Sequence, residues 1–409
     1  VVRVKSLSSA MANSAKLHPV AGIELATVCA GIKKADRRDL VAIKMVPQTA
    51  VAAVFTRNEF RAAPVLLAQN HLQTHKPVCL LINTGNANAG TGQQGMADAQ
   101  ESCRQLAQLL QCDEQQVLPF STGVIGENLP VQKIVAALPA LVENLTVDGW
   151  EQASHGILTT DTVTKAHSYQ IPVADQSITL TGIAKGSGMI RPNMATMLAF
   201  IGTDAQIEPT LLQQCLNEAV TQSFNRITVD GDTSTNDACV LMATGRSGVE
   251  ITADSAAYRL FCDALCRLAQ ELAKDIVRDG EGATKLITVE VNGGASMQEC
   301  HDVAYTIAHS PLVKTAMFAS DPNWGRILAA VGRSGVTLDI NAVEIYLDQV
   351  CIVRDGGRSP DYTEAAGQAV MEQNEITVRV ALNRGEHSTQ VWTCDFSYDY
   401  VRINAEYRT

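Results

Sequence analysis

The sequence predicts an α/β protein with mixed and antiparallel sheets packed against helices, and three observations carry that expectation. Short apolar, β-branched runs recur, among them 40–46, 51–56 and 78–83. Longer stretches at 95–110, 131–145, 209–222 and 255–278 carry a helical pattern. Loops rich in Gly, Asn, Ser and Thr separate the two kinds of segment. Strand, polar loop and helix in alternation is the signature of α/β architecture.

In order, LVAIKMV (40–46), VAAVFT (51–56) and VCLLIN (78–83) read as strands. TGNANAGTGQQ then gives a loop, and GMADAQESCRQLAQLL (95–110) an amphipathic helix. The theme recurs with VLPFSTGVIGENLP (117–130), an apolar run ending in a Ser/Thr/Gly loop, and the helix VQKIVAALPALVENL. Segments 156–166, 178–190 and 194–205 place β-branched residues before turn residues. The helix at 209–222 has its proline near the start, where a missing N–H costs nothing. A strand-like stretch is expected over 227–244, and the long helix 255–278 runs into the turn DGEGATK and the strand ITVEVN. The last forty residues alternate strongly and end in a polar, aromatic-rich tail, which predicts antiparallel or mixed sheet there.

At 409 residues, with 46% hydrophobic and 18% charged, the chain can bury a large core in two or more domains or subdomains. Its formal charge of -11, with no block of Lys and Arg, argues against a nucleic-acid partner. No apolar run reaches the roughly eighteen residues of a membrane span, and the start of the sequence has no continuous apolar segment of a signal peptide. The eleven cysteines are odd in number and irregularly spaced, so free thiols in a reducing cytoplasm are expected rather than a disulfide framework. Cys262 and Cys266, four apart in a helical pattern, are placed to meet on one face, but no histidine pair joins them, and no metal is expected. GNANAGTGQQG lacks the lysine of a phosphate-binding loop, which argues against a nucleotide site.

The most informative stretch runs from Lys185 to Leu198, KGSGMIRPNMATML. Taken alone, Gly186 and Gly188 make a turn and Thr196 a buried β-branched residue. The longer run KGSGMIRPNMATMLAFIGTDA, however, resembles the self-processing site of the ornithine acetyltransferase family, also called the glutamate N-acetyltransferase (ArgJ) family. The likeness spans essentially the whole chain. FTRN (55–58), NTGNANAGTG (83–92), STGVIGE (121–127), TTDT (159–162) and GDTSTND (231–237) match family motifs in order. So do DGEGATK (279–285), SPLVKTAMFASDPNWGRI (310–327) and YVRINAEYRT (400–409).

The resemblance implies a precursor that cuts itself between Ala195 and Thr196, giving an α chain of residues 1–195 and a β chain of residues 196–409. Cleavage would give Thr196 a free α-amine, with an unperturbed pKa of about 8, that can take the proton of its own poorly acidic hydroxyl. Thr122 and Gly123 are implied as the oxyanion hole, a hydroxyl and a closely approaching backbone N–H. Substrate-binding positions map to Thr159, Lys185, Thr196, Glu281, Asn404 and Thr409; whether Thr159 or Thr160 faces the ligand stays open. Lys185 suits a carboxylate and Glu281 an ammonium. The implied reaction moves acetyl from N-acetyl-L-ornithine to L-glutamate through an acetyl-threonine ester, with acetyl-CoA as a second donor in some members. No cofactor is implied, and the implied assembly holds two α and two β chains.

Two motifs keep a plainer reading open. DPNWGR (321–326) either shapes a pocket or has Trp324 plug the core; GDTSTND is expected to be a hydrogen-bonded loop supporting Thr196 rather than a metal site. The rival functions are an amide hydrolase or aminopeptidase with the same kind of nucleophile, and a non-catalytic amino-acid-binding protein.

Overall fold

The structure, a computed structural model, describes residues 16–191, 197–253 and 255–406. Ala195, Thr196 and Thr409 lie outside the described residues. The chain forms two compact units. The first takes the chain as far as Gly186, then the stretch ending at Asn225, and Asp232–Ala273. The second takes Ser187–Arg191, Arg226–Gly231 and the chain from Lys274 onward.

The first unit is built on two sheets face to face. One has the order Ile23–Val28, Leu40–Met45, Cys79–Asn86, Val117–Val124, antiparallel except for the last pair. The other has the order Ala50–Phe55, Ala238–Ala243, Leu198–Thr203, Gln176–Lys185, Lys165–Val173. Its parallel pair is Ala238–Ala243 with Leu198–Thr203. Ile23, Ile43, Leu80, Ile82 and Phe120 from the first sheet pack against Ile183, Phe200, Val240 and Met242 from the second. Phe120 and Phe200 meet edge to face, ring centroids 5.2 Å apart at 82°.

Helices cover the outer faces. Gly92–Leu110 and Val131–Glu143 bury Cys103, Leu106, Leu138 and Leu141 against Leu40, Ala42, Cys79 and Leu81. Leu80 and Ile82 thus face the other sheet, and Cys79 and Leu81 the helices, which is why this strand is apolar without alternation. On the second sheet, Gly182 lies flat under Leu268 and Leu272 of the Ala256–Arg278 helix. The first unit is therefore a four-layer αββα sandwich.

The second unit is a six-stranded mixed sheet, ordered Gly357–Arg358, Val350–Arg354, Glu344–Leu347, Glu375–Ala381, Leu286–Gly294, His387–Cys394. Only Glu375–Ala381 and Leu286–Gly294 run parallel. Val289, Val291 and Val378 pack with Val303 and Ile307 of helix Met297–Ala308 and Ile327 and Val331 of helix Trp324–Gly332. The DPNWGR segment starts that last helix: Asn323 accepts the Arg326 N–H at 3.1 Å as its cap, and Trp324 packs against the core.

Most expected elements are present, and the 209–222 helix falls on its expected bounds. One expectation needs correction. The strand-like stretch 227–244 is a strand only over Ala238–Ala243, because the polar residues of GDTSTND spend their hydrogen bonds in a loop. Cys262 meets Cys215 of the neighbouring helix, Sγ to Sγ 3.5 Å. The last forty residues supply the strands Glu375–Ala381 and His387–Cys394 of the mixed sheet, and the tail after them is the helix Tyr398–Ala405, capped by Ser397.

Phe200→Ala would open a cavity between the two sheets of the first unit. It should cost about 3–5 kcal/mol of stability, read as a lower urea midpoint.

Candidate active site

In the first unit, strands Cys79–Asn86 and Val117–Val124 run parallel with Thr84 beside Thr122 and Gly85 beside Gly123. The register breaks at Gly85/Asn86, and the two chains close up there. Gly123 has φ +137°, and a Cβ on it would stand 2.3 Å from the Gly85 carbonyl carbon. Only glycine fits this position. Buried asparagines satisfy the surrounding backbone. Asn83 Nδ2 donates to Asn86 O (2.9 Å), Asn86 Nδ2 to Asn128 O (3.1 Å), and Asn88 Nδ2 to Gly95 O (2.8 Å). Asn236 of GDTSTND donates to both Ala87 O (2.6 Å) and Ser121 O (2.9 Å), tying the two loops together.

Lys185 ends the Gln176–Lys185 strand with only 8% of its surface exposed. Its Nζ donates to Thr122 Oγ1 at 3.1 Å. Thr122 and Gly123, neighbours in sequence, are thus brought to Lys185, which lies 63 positions from Thr122. Thr159 joins them through Asp161. The Asp161 carboxylate is fully buried, and its Oδ1 accepts from Lys165 Nζ (2.6 Å) and Gly186 N (2.7 Å). Its Oδ2 accepts the Thr159 N–H at 2.9 Å. Burial works against ionisation of Asp161. The ammonium groups of Lys185 and Lys165 and the Thr159 N–H outweigh it and hold the carboxyl well below the ordinary range.

The second unit holds Glu281 and Asn404. Glu281 is 6% exposed, and its Oε2 accepts from Asn404 Nδ2 at 2.8 Å. Gly188 leaves room for this carboxylate, since a Cβ there would lie 2.4 Å from its carbon. The Glu281 N–H donates to Ser187 O (3.0 Å), and Ser187 Oγ to Asp279 O (2.6 Å). Asp230 accepts from the N–H groups of both Met189 (2.6 Å) and Ile190 (2.9 Å). Arg191 lies over the Tyr305 ring. The loop Ser187–Arg191 is therefore pinned up to the last described residue before Thr196. Burial and then Arg191 push the His309 imidazole down to about 4, so it is neutral at physiological pH. The C-terminal helix that carries Asn404 is tied at its start, where Ser397 Oγ donates to Gly282 O at 2.6 Å.

Asp161, Lys165, Asn236 and Asp230 were not singled out from the sequence. All four lie within segments 156–166 and 227–244; Lys165 pairs locally with Asp161 four residues away, but nothing in the spacing of Asp161, Asp230 and Asn236 shows that they reach distant backbone. Among the described residues, no group of three or more His, Cys, Asp or Glu stands where it could hold a metal, and no helix is long and apolar enough to cross a membrane.

The family model described as the ArgJ family matches residues 24–409. The arginine biosynthesis bifunctional protein ArgJ of Pseudomonas fluorescens is 54% identical over 396 residues, covering 96% of this chain and 98% of the relative. The protein of the same name from Pseudomonas syringae matches equally, 54% over 396 residues with the same coverage. Among solved structures, the ArgJ protein of Bacillus halodurans is 42% identical, covering 49% of this chain and 95% of its own, with a TM-score of 0.48. The ornithine acetyltransferase of Mycobacterium tuberculosis, solved with ornithine, is 34% identical, covering 45% and 98%, with a TM-score of 0.42. A mixed α/β chain matched along this length is an acetyltransferase. It belongs to the ArgJ family, the acetyltransferases of arginine biosynthesis.

Asp161→Asn should cost about 3–5 kcal/mol, because it takes the carboxylate charge away from buried Lys165. The depressed carboxyl of Asp161 lends stability above about pH 4 that is lost as pH falls further. Thermal melts from pH 7 to pH 2 should show that part of the acid destabilisation gone in the variant.

Proposed function

We propose that this chain transfers acetyl from N2-acetyl-L-ornithine to L-glutamate by double displacement through Thr196. The observation that carries this reading is the Thr122–Gly123–Lys185 cluster, within a chain 54% identical to ArgJ proteins over 396 residues. The Thr196 α-amine, released by cleavage at Ala195–Thr196, takes the hydroxyl proton as the oxygen attacks the acetyl carbonyl. The Thr122 hydroxyl and the Gly123 N–H stabilise the oxyanion. The C–N bond breaks, ornithine leaves with the proton, and an acetyl ester remains. The amine of glutamate then attacks the ester and regenerates Thr196.

Lys185 supplies positive charge for a substrate carboxylate, and its bond to Thr122 ties that charge to the oxyanion donor. Glu281 receives the ornithine ammonium, oriented by Asn404. Thr159 and the terminal Thr409 complete the binding set. The word "bifunctional" in the names of the Pseudomonas relatives supports acetyl-CoA as a second donor.

The proposed α and β chains, 1–195 and 196–409, do not coincide with the two compact units. Strand Gln176–Lys185 lies before the cut and its antiparallel partner Leu198–Thr203 after it, with Lys185 opposite Leu198. Cleavage would leave both products sharing one sheet, and two copies of each make the proposed assembly.

Denaturing mass spectrometry should find two fragments meeting at Ala195–Thr196, and Thr196→Ala a single chain of 43.8 kDa without transferase activity. Ornithine release from acetylornithine that proceeds unchanged without glutamate would overturn the transferase reading in favour of a hydrolase. Gly123→Ala should lower kcat by roughly a hundredfold or more through a displaced oxyanion donor, measured as acetylornithine-dependent acetylglutamate formation.

A further inference from the structure

Helices Pro209–Gln222 and Ala256–Arg278 bring together a thiol pair that acetyl transfer does not use. Cys215 is 1% exposed, whereas Cys262 is half-buried, so a small oxidant reaches Cys262 first. Their sulfurs are 3.5 Å apart, in contact. Closing that gap to a disulfide length of about 2.0 Å calls for side-chain rotation on two neighbouring helices. The surroundings divide the labour. A hydrogen bond links the two sulfurs, and Tyr258, one helical turn earlier, adds a second to Cys262. These favour the Cys262 thiolate against burial and the nearby carboxylates Glu218 and Asp263. The Cys215 thiol is pushed up by the same hydrogen bond and by burial, so it keeps its proton.

We propose that Cys262 and Cys215 form a peroxide-reactive dithiol, with Cys262 attacking and Cys215 resolving, whose product is a disulfide joining the two helices. The Cys262 thiolate attacks one oxygen of hydrogen peroxide; an S–O bond forms, the O–O bond breaks, and hydroxide leaves to become water. Cys215 sulfur then attacks the Cys262 sulfenic acid. The S–S bond forms, the S–O bond breaks, and the Cys215 proton departs with the hydroxyl as water. Two thiols and one peroxide yield one disulfide and two waters, and an added dithiol reverses the change.

The test treats the full-length protein with hydrogen peroxide, blocks remaining thiols, and maps the unreduced digest by mass spectrometry. A peptide pair linked through Cys215 and Cys262 is expected, two hydrogens lighter than the separate peptides, and it should survive Cys266→Ser. In Cys215→Ser the link should vanish and Cys262 should be trapped by dimedone as the sulfenic acid. A Cys262–Cys266 link, or a pair still reduced after exposed Cys29 has been oxidised, would overturn the proposal. The wild-type digest decides the matter even if a variant fails to fold.

Discussion

A carboxylate with no access to water has to find its counter-charges and donors inside the protein, and Asp161 does so from several parts of one unit. Lys165 pairs with it four residues on, the Gly186 N–H comes from the end of a sheet strand, and the Thr159 N–H from its own turn. Lys185 adds a further positive charge. Removing either side of such an arrangement leaves an uncompensated buried charge, so the segments are held in fixed positions. Thr159, Lys185 and the start of the loop toward Thr196 inherit their placement from that constraint.

The sandwich supplies the rigidity on which those polar contacts rest. Two sheets pressed face to face, each backed by helices, leave their strand ends as the places where polar loops can emerge. Thr122, Gly123 and Lys185 all stand at such ends. Steric closeness at Gly85 and Gly123 and the asparagine bonds from Asn83, Asn86 and Asn236 then hold the backbone around Thr122 and Gly123, the proposed oxyanion donors. In the second unit the same economy holds on a smaller scale, with Gly188 making room for Glu281 and Asn404 orienting it.

Much of the fold was legible because helical and strand periodicity survive in the chain: the 209–222 helix, the 40–45 and 79–86 strands and the C-terminal sheet all carry it. The 227–237 stretch misled because β-branched residues there alternate with hydroxyl and carboxyl groups that bond locally and across to other loops. The contact between Cys215 and Cys262 carries no signal in the sequence. Helical spacing puts Cys262 and Cys266 on one face, but only helix packing could show that Cys215 meets Cys262.

By itself the sequence determined the family, the α/β class and the residue types at each motif, because those follow from local pattern and from ordered likeness along the chain. The tertiary structure alone decided which motifs meet. It set Lys185 on Thr122, joined Thr159 to Gly186 through Asp161, and put Asn404 on Glu281. The physical reason is that local propensity acts over a few residues, whereas a buried polar group is satisfied by whatever partner the folded backbone brings within hydrogen-bond reach.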